Sequence, residues 1–511
     1  MSRDVSFHRD RISVFTDAQR RLSEGEITEK EFKGISGGFG SYNERGGRTG
    51  MIRLRMCGGH MDRDKLDFII DAAERYSIPL IHTTTCETVQ LHRLTPEQIA
   101  TVMTEALDHG INTQGGGGDH PRNVSATSLS GVDPGEYFDV YPYAKATEAM
   151  LLDIMTEFRL PRKLKVTFSS SPSNETHATF RDMGFVARPD GLFDVWIAGG
   201  LGKCPSMGFR VAEAVEPSHV LYHVRAMMEV FSENGDFGDR GHARTRHMKE
   251  DLGEARLSEL YNGRVAELES RGGLDLHPEP VAFPEKAYME VSGERIRPQK
   301  QKGLYYVTYR PVAGDVELEV LKRIRDAIRD MEGVELRISP DSAIHVVNLS
   351  GEEALLVESV TGGGAATPFE ASVSCIGGTV CTTGVRDSNG LLKRMISAVR
   401  DSGIPADALP RFRISGCPSS CGAHQVGVVG LQGGVRTVDG VPVPVFNMTV
   451  NGCGLQGTER FGFPVGAIPE DRVPDMVVFL GRTVADSGMG FDEWFTLNRD
   501  RMTEVLADHL V

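Results

Sequence analysis

Two cysteine pairs set among glycine, serine, threonine and proline constrain this chain more than any other feature of its sequence. The first is Cys375-Ile-Gly-Gly-Thr-Val-Cys381, a C-x5-C spacing, and the second is Cys417-Pro-Ser-Ser-Cys421, a C-x3-C spacing. Backbone this rich in small and turn-forming residues can wrap closely around an inorganic centre. Structural zinc prefers tighter C-x2–4-C knuckles, usually both of one kind. Four thiolates are the usual holder of a 4Fe–4S cluster, whose cysteines tolerate more varied spacing. A disulfide pair suits an exported chain. Here the N-terminus MSRDVSFHRDR is charged and has no apolar h-region. Spacing and context favour the cluster, and zinc remains the alternative.

Bulk properties narrow the class further. A chain of 511 residues exceeds one ordinary core and predicts two to four packed units. Its net charge of −15 argues against nucleic acid or an anionic membrane as partner. No apolar run approaches the length of a membrane span, so no membrane insertion is expected and a cytoplasmic location is the default. In so acidic a chain, any local gathering of arginine and lysine is informative.

C-x5-C followed by Gly416-Cys-Pro-Ser-Ser-Cys-Gly422 resembles the signature of the sirohaem- and 4Fe–4S-dependent nitrite and sulfite reductases. By that resemblance Cys375, Cys381 and Cys417 hold cluster irons, and Cys421 holds one while also bridging to the sirohaem iron.

The order of elements repeats. Met51-Ile-Arg-Leu-Arg reads as a strand ending in a Gly-Gly turn. Asp62 and Asp64 are possible caps, and Leu66, Ile69, Ile70 and Ala73 give one face of a helix. A second β-like run covers Ile81 to His92. Downstream, Leu304–Arg310 reads as a strand, Gly314-Asp315 as the turn and cap, Leu321, Ile324 and Ile328 as a helical stripe, and a strand pair follows from Val334. Ala198–Gly202 precedes a helix around His219–Phe231, as Asn451–Gly457 precedes one around Val473–Ala485. This duplication predicts an α+β, pseudo-twofold molecule. The resemblance implies two ferredoxin-like half-domains and two sirohaem/Fe–S α/β domains. The expected boundaries are an N-terminal arm at 1–48, half-domain 1 at 49–114, sirohaem domain 1 at 115–271, a linker at 272–300, half-domain 2 at 301–364 and the cluster domain at 365–511.

Sirohaem carries eight carboxylates, and sulfite and nitrite are anions, so the pocket needs paired cations and hydrogen bonds. Four residues match the family's basic set: Arg53 in MIRLR, Arg122 in DHPRNV, and Lys163 and Lys165 in LPRKLKV. Residues two apart on extended chain share a face, so the lysines point together and Leu164 points to the core. The resemblance adds Thr84, Gln90, His92 and Asn123 as sirohaem contacts, and the lysines as proton sources. For Arg55 and Arg162, a solvated surface position and a structural role are equal readings.

Three positions depart from the family. Cys86 and His82 stand where cofactor-binding arginines are usual, and Arg93 stands where glycine is usual. We take Arg93 and a protonated His82 to replace part of the missing charge, and Cys86 to be a packed thiol. The Gly-rich runs Ile35–Gly40 and Gly115–Gly118 lack the strand–GxGxxG–helix context of a dinucleotide site and read as turns.

The resemblance implies six-electron reduction of sulfite to sulfide, with nitrite reduction to ammonia as the alternative. Lys165 tilts the choice to sulfite, because the family's nitrite enzymes often carry asparagine there. Electrons must come from an external donor, ferredoxin or a flavin reductase subunit, since no flavin or nicotinamide module is evident. A non-catalytic Fe–S/tetrapyrrole electron-transfer or sensing protein is the rival from another class.

Overall fold

The computed structural model describes residues 5–511 and divides into two compact units. One runs to Gly200 and includes Ser206–Tyr309 and Val316–Gly362. The other comprises Leu201–Pro205, Arg310–Asp315 and Gly363–Val511.

In the first unit the repeat is visible as two similar sheets. Gly50–Leu54 lies between Ser41–Asn43 and Val89–Leu94, and Leu80–Thr83 follows, all antiparallel. The second sheet runs Ile296–Pro298, Tyr305–Tyr309, Ile344–Leu349, Glu335–Ile338, again antiparallel. The foreseen helix is Arg63–Arg75, with the Asp62 carboxylate accepting from the Lys65 amide at 3.0 Å. Leu66, Ile69, Ile70 and Ala73 are its buried face, as Leu321, Ile324 and Ile328 are in Leu318–Ile328. The short strand His60–Met61 leaves its own copy and pairs with Leu336 and Arg337 of the other sheet. That approach needs a bare backbone. Gly59 has φ +74°, and a Cβ there would meet the Ile338 carbonyl at 2.0 Å.

The α/β sheets repeat as closely. In the first unit Ser125–Ala126, Val166–Ser169 and Met183–Ala187 are parallel, and Phe193–Ile197 and Phe209–Val215 continue antiparallel. In the second unit Val373–Ser374, Phe412–Ser415 and Val429–Val438 are parallel, and Val441–Val450 and Phe463–Pro469 continue antiparallel. The predicted late helices are Val220–Asn234 and Val473–Asp486. No described helix is long and apolar enough to cross a membrane.

Three expectations need correction. Over its described residues the N-terminal arm is two helices, Val5–Ser23 and Glu29–Gly38. Their Phe15 and Phe32 rings lie 6.0 Å apart, and both belong to the same apolar core as Leu66 and Leu91. Widely spaced apolar residues between charges hid that face. The linker is irregular through 272–293, but Ile296–Pro298 is a sheet strand. The run Ile81–His92 is not continuous strand: it breaks at Thr84–Thr88, where the Thr84 amide bonds the Thr88 carbonyl and Glu87 takes φ +57°.

Phe15 is fully buried, so Phe15→Ala should cost about 3–5 kcal/mol in denaturant unfolding. A loss below about 0.5 kcal/mol, the range of surface changes, would show that the helix lies on the body as an arm.

Candidate active site and cluster loops

Four cations expected at the site sit in the first unit; Arg53 and Arg122 are held by oxygens and Lys165 by a sulfur. Arg53 lies on Gly50–Leu54, directly across from Gln90, which is itself across from His82. Its Nη1 donates to the Gly116 carbonyl. With its amide oxygen toward Arg53, Gln90 accepts from Nε at 3.2 Å and from Nη2 at 2.6 Å. The Gln90 nitrogen then faces His92 Nε2 at 3.3 Å. That leaves His92 Nδ1 to donate to Glu44 Oε1 at 2.7 Å. His92 is 1% exposed, and burial holds it below the ordinary imidazole range. The relay Glu44–His92–Gln90 thus orients a guanidinium, and both ring nitrogens of His92 are spent on it.

Arg122 follows the glycine run. Its Nη1 and Nη2 donate to the Gly115 and Gly118 carbonyls at 3.2 and 2.8 Å. Gly115 and Gly118 adopt φ of +71° and +63°, so these carbonyls converge because the residues are glycines. Burial lowers Arg122 to about 10, and the neighbouring charge of Arg53 adds to this. Tyr42, absent from the sequence reading, accepts from the Gly118 amide at 2.7 Å. Burial would raise its phenol, but the charges of Arg122 and Arg53 and that amide bring it below the usual value. Lys163 and Lys165 flank Leu164, which is fully buried and bridges Pro121 in parallel. Lys165 Nζ donates to Cys86 Sγ at 3.2 Å. Asn123 Nδ2 donates to the Met56 and Cys86 carbonyls at 2.8 and 3.0 Å, and its Oδ1, in a residue 4% exposed, has no partner.

Other expected residues are used differently. The Thr84 hydroxyl meets Thr88 Oγ1 at 2.7 Å and accepts from the Cys86 amide at 3.2 Å, stabilising the turn. Arg93 lies 3.6 Å from Glu44, so its charge is committed to that carboxylate. His82 is buried edge-on to His92, with ring centroids 6.3 Å apart. Arg55 is structural: it grips Glu148 with Nε–Oε1 at 2.6 Å and Nη2–Oε2 at 2.7 Å, and donates to three carbonyls. Arg162 pairs with Asp119 at 2.9 Å. His242, His247 and Glu250 also cluster, but His242 is engaged by Asp251 and His247 by Glu250.

In the second unit the four cysteines sit at the ends of two neighbouring parallel strands, Val373–Ser374 and Phe412–Ser415. Cys375 Sγ receives the Gly416 amide at 3.2 Å and lies 3.0 Å from the Ser388 hydroxyl. Cys381 Sγ lies 3.1 Å from the Thr383 hydroxyl. Cys417 is buried and Cys421 exposed. Gly416 and Gly422 leave no room for a side chain: a Cβ would meet the Arg386 carbonyl at 2.4 Å and the Ile414 carbonyl at 2.2 Å. Burial pushes the Cys375 thiol up, so its thiolate needs a positive centre beside it. Among the described residues no three of these sulfurs lie mutually within 4.8 Å. Tetrahedral zinc would draw them to about 3.8 Å. The donor set, its amide and hydroxyl bonds and its spacing fit a cube whose irons take one thiolate each.

The first unit holds the same loops without the sulfur. Ser169-Ser-Ser-Pro-Ser-Asn-Glu175 matches Ser415-Gly-Cys-Pro-Ser-Ser-Cys421. The Ser170 amide bonds Thr127 Oγ1 at 2.9 Å where the Gly416 amide bonds Cys375 Sγ. Asn174 and Ser420 share left-handed φ of +47° and +58°, and His177 and Ala423 share +62° and +56°. By this register Thr127, Asp133, Ser171 and Glu175 occupy the places of Cys375, Cys381, Cys417 and Cys421. This correspondence was missed in sequence; the shared S-x-x-P-S was its signal.

With this geometry in view, the comparisons with known proteins are direct. A family model described as nitrite and sulphite reductase 4Fe-4S domain matches residues 117–268, and one described as nitrite/sulfite reductase ferredoxin-like half domain matches residues 42–109. A ferredoxin–nitrite reductase of Synechococcus elongatus is 27% identical over 79% of this chain and 80% of its own. An NADPH sulfite reductase hemoprotein beta-component of Acidithiobacillus ferrooxidans is 24% identical over 75% of this chain and 74% of its own. The solved structure of Mycobacterium tuberculosis NirA shares the fold, with a TM-score of 0.79 at 20% identity, covering 93% of this chain and 92% of that one. The fold and its domains define a duplicated α+β oxidoreductase. Residues 42–109 and 117–268 carry domains of the nitrite and sulfite reductase family, and those domains and the relatives imply a 4Fe–4S cluster and sirohaem as cofactors.

Glu175 accepts from the Ser128 amide and hydroxyl at 3.0 Å, yet burial first and Asp341 second raise it to about 7. A raised carboxyl binds its proton more tightly folded than unfolded, so stability falls as pH rises from the ordinary carboxylate range to about 7. Glu175→Gln should remove that loss: its melting temperature relative to wild type should climb between pH 5 and 7.5. A constant difference across that range would contradict the shift.

Proposed function

We propose that this chain carries out the six-electron reduction of sulfite, with nitrite as the second substrate, drawing electrons from ferredoxin or a flavin reductase subunit. The observation that carries this reading is the cation set of the first unit: Arg53 and Arg122 are restrained by neutral oxygens that leave their charge in place, and Lys165 is restrained by the Cys86 sulfur. Cys375, Cys381, Cys417 and Cys421 are the residues we assign to the cluster, with Cys421 shared between cluster and sirohaem iron. Together those cofactors would supply stored electrons and an open iron position for the anion.

The chain's own residues do the rest. Arg53 and Arg122 hold substrate oxygens by charge-assisted hydrogen bonds, which strengthen as charge collects on the departing oxygen. Lys163 and Lys165 bring ammonium protons to that oxygen. Burial pulls Lys165 below its ordinary value, which makes it the readier proton donor. Gln90 and His92 keep the Arg53 fork from swinging, a role in positioning. We assign Thr84 and Asn123 to the cofactor pocket on the resemblance alone, and His82 and Arg93 on the hypothesis that they replace part of the charge of the family's missing arginines. The extra charge of Lys165 favours sulfite. Its contact with Cys86 is the specific observation that favours nitrite.

Assay of the cofactor-loaded protein with reduced viologen tests this. Wild type should form sulfide from sulfite and ammonia from nitrite. Arg53→Ala and Lys163→Ala should each lower kcat/KM by about 100-fold or more while retaining the visible spectrum. Redox activity with neither product would leave an electron-transfer or sensing role instead.

A further inference from the structure

The least expected contact in the anion site is the one between Lys165 and Cys86. Cys86 follows Thr84 and Thr85 in the tight turn that interrupts the Leu80–Leu94 hairpin. The Thr84 hydroxyl accepts from its amide, and Asn123 Nδ2 donates to its carbonyl at 3.0 Å. The backbone is therefore pinned on both sides, and the thiol is presented to the Lys165 ammonium at 3.2 Å. Asn123, which clamps this turn, keeps a buried Oδ1 without a partner, so a polar group at this point is left for something the chain does not itself provide.

The charges around the pair are mostly positive. Burial alone would push the Cys86 thiol up, but the charge of Lys165, then Arg181, the Lys165 hydrogen bond and Arg53 bring it down to about 6. The nearby acids are otherwise occupied. Asp182 is bound by Arg244 and Thr245, and Glu87 is buried and held well above the carboxylate range.

We propose that Cys86, ion-paired with Lys165, sets the charge preference of the anion site, cancelling one of its cations so that a singly charged oxyanion competes with a doubly charged one. This rests on the assignment of Lys165 to substrate. An anion feels the sulfur in proportion to its own charge: a negative group costs a dianion twice what it costs a monoanion at the same place. Arginine at position 86 would do the opposite, adding a cation that favours the dianion. The substitution at Cys86 is thus a specificity device in this chain, and it acts against the tilt that Lys165 alone would give.

Nitrate and sulfate, as redox-inert monoanion and dianion, report this without turnover. Their dissociation constants for the oxidised, cofactor-loaded protein, by calorimetry, should shift in Cys86→Ser so that sulfate gains about tenfold over nitrate. Cys86→Ala should do the same, and Cys86→Asp, which keeps the charge, should hold the wild-type ratio. A ratio unmoved in Cys86→Ser and Cys86→Ala, or moved equally in Cys86→Asp, overturns the proposal. Lys165→Gln separates the substrate assignment of Lys165 from the specificity role of Cys86 and should weaken both anions. Unchanged affinities there would remove Lys165 from the site and the underlying reading with it. Weakened binding there with an unmoved ratio in Cys86→Ser would sink the specificity role alone.

Discussion

Gathering like charges is the constraint on which the functional part of this structure depends. Arg53 and Arg122 lie close enough that the charge of one lowers the pKa of the other, and they are kept together because neutral oxygens share the burden. The glycine carbonyls at 115, 116 and 118 and the Gln90 amide take the guanidinium protons. Removing the glycines' left-handed backbone would scatter those carbonyls and leave the cations unpaired. The same logic explains Glu44, which is 3% exposed and sits behind His92 and Arg93. It anchors the support without touching the guanidinium it steadies.

The duplicated loops show how one backbone serves two chemistries. In the second unit the strand ends present thiols with an amide and a hydroxyl on the Cys375 sulfur. In the first unit the matching amide meets a threonine hydroxyl, and Glu175 stands in the place of Cys421. Hard oxygen donors are poor replacements for soft thiolates around iron–sulfur. The first copy keeps the fold's hydrogen-bond pattern without the four thiolates of the second.

Much of this was legible in the sequence, for identifiable reasons. The helix after Asp62 was readable because its apolar residues keep a strict helical spacing and its cap is an aspartate. The four cysteines were readable because little in ordinary core looks like them. The N-terminal helices were not, since their buried residues are sparse and separated by charge. Nor was the turn at Thr84–Thr88: Thr-Thr-Thr favours strand locally, and side-chain bonds between Thr84 and Thr88 override that preference. Cys86 was read as an inert packed thiol because sequence does not reveal that Lys165, far along the chain, ends beside it. Tyr42 was missed for the same reason, as its meaning comes only from the glycine run that folds over it.

The central claim is that the second-unit thiols carry a 4Fe–4S cluster in a protein that also binds sirohaem. Iron, acid-labile sulfide and extractable tetrapyrrole, counted per chain in anaerobically purified protein made with a sirohaem supply, test it most directly. The account predicts about four sulfides, about five irons and about one tetrapyrrole per chain. A colourless protein containing zinc, or neither iron nor sulfide, would contradict it.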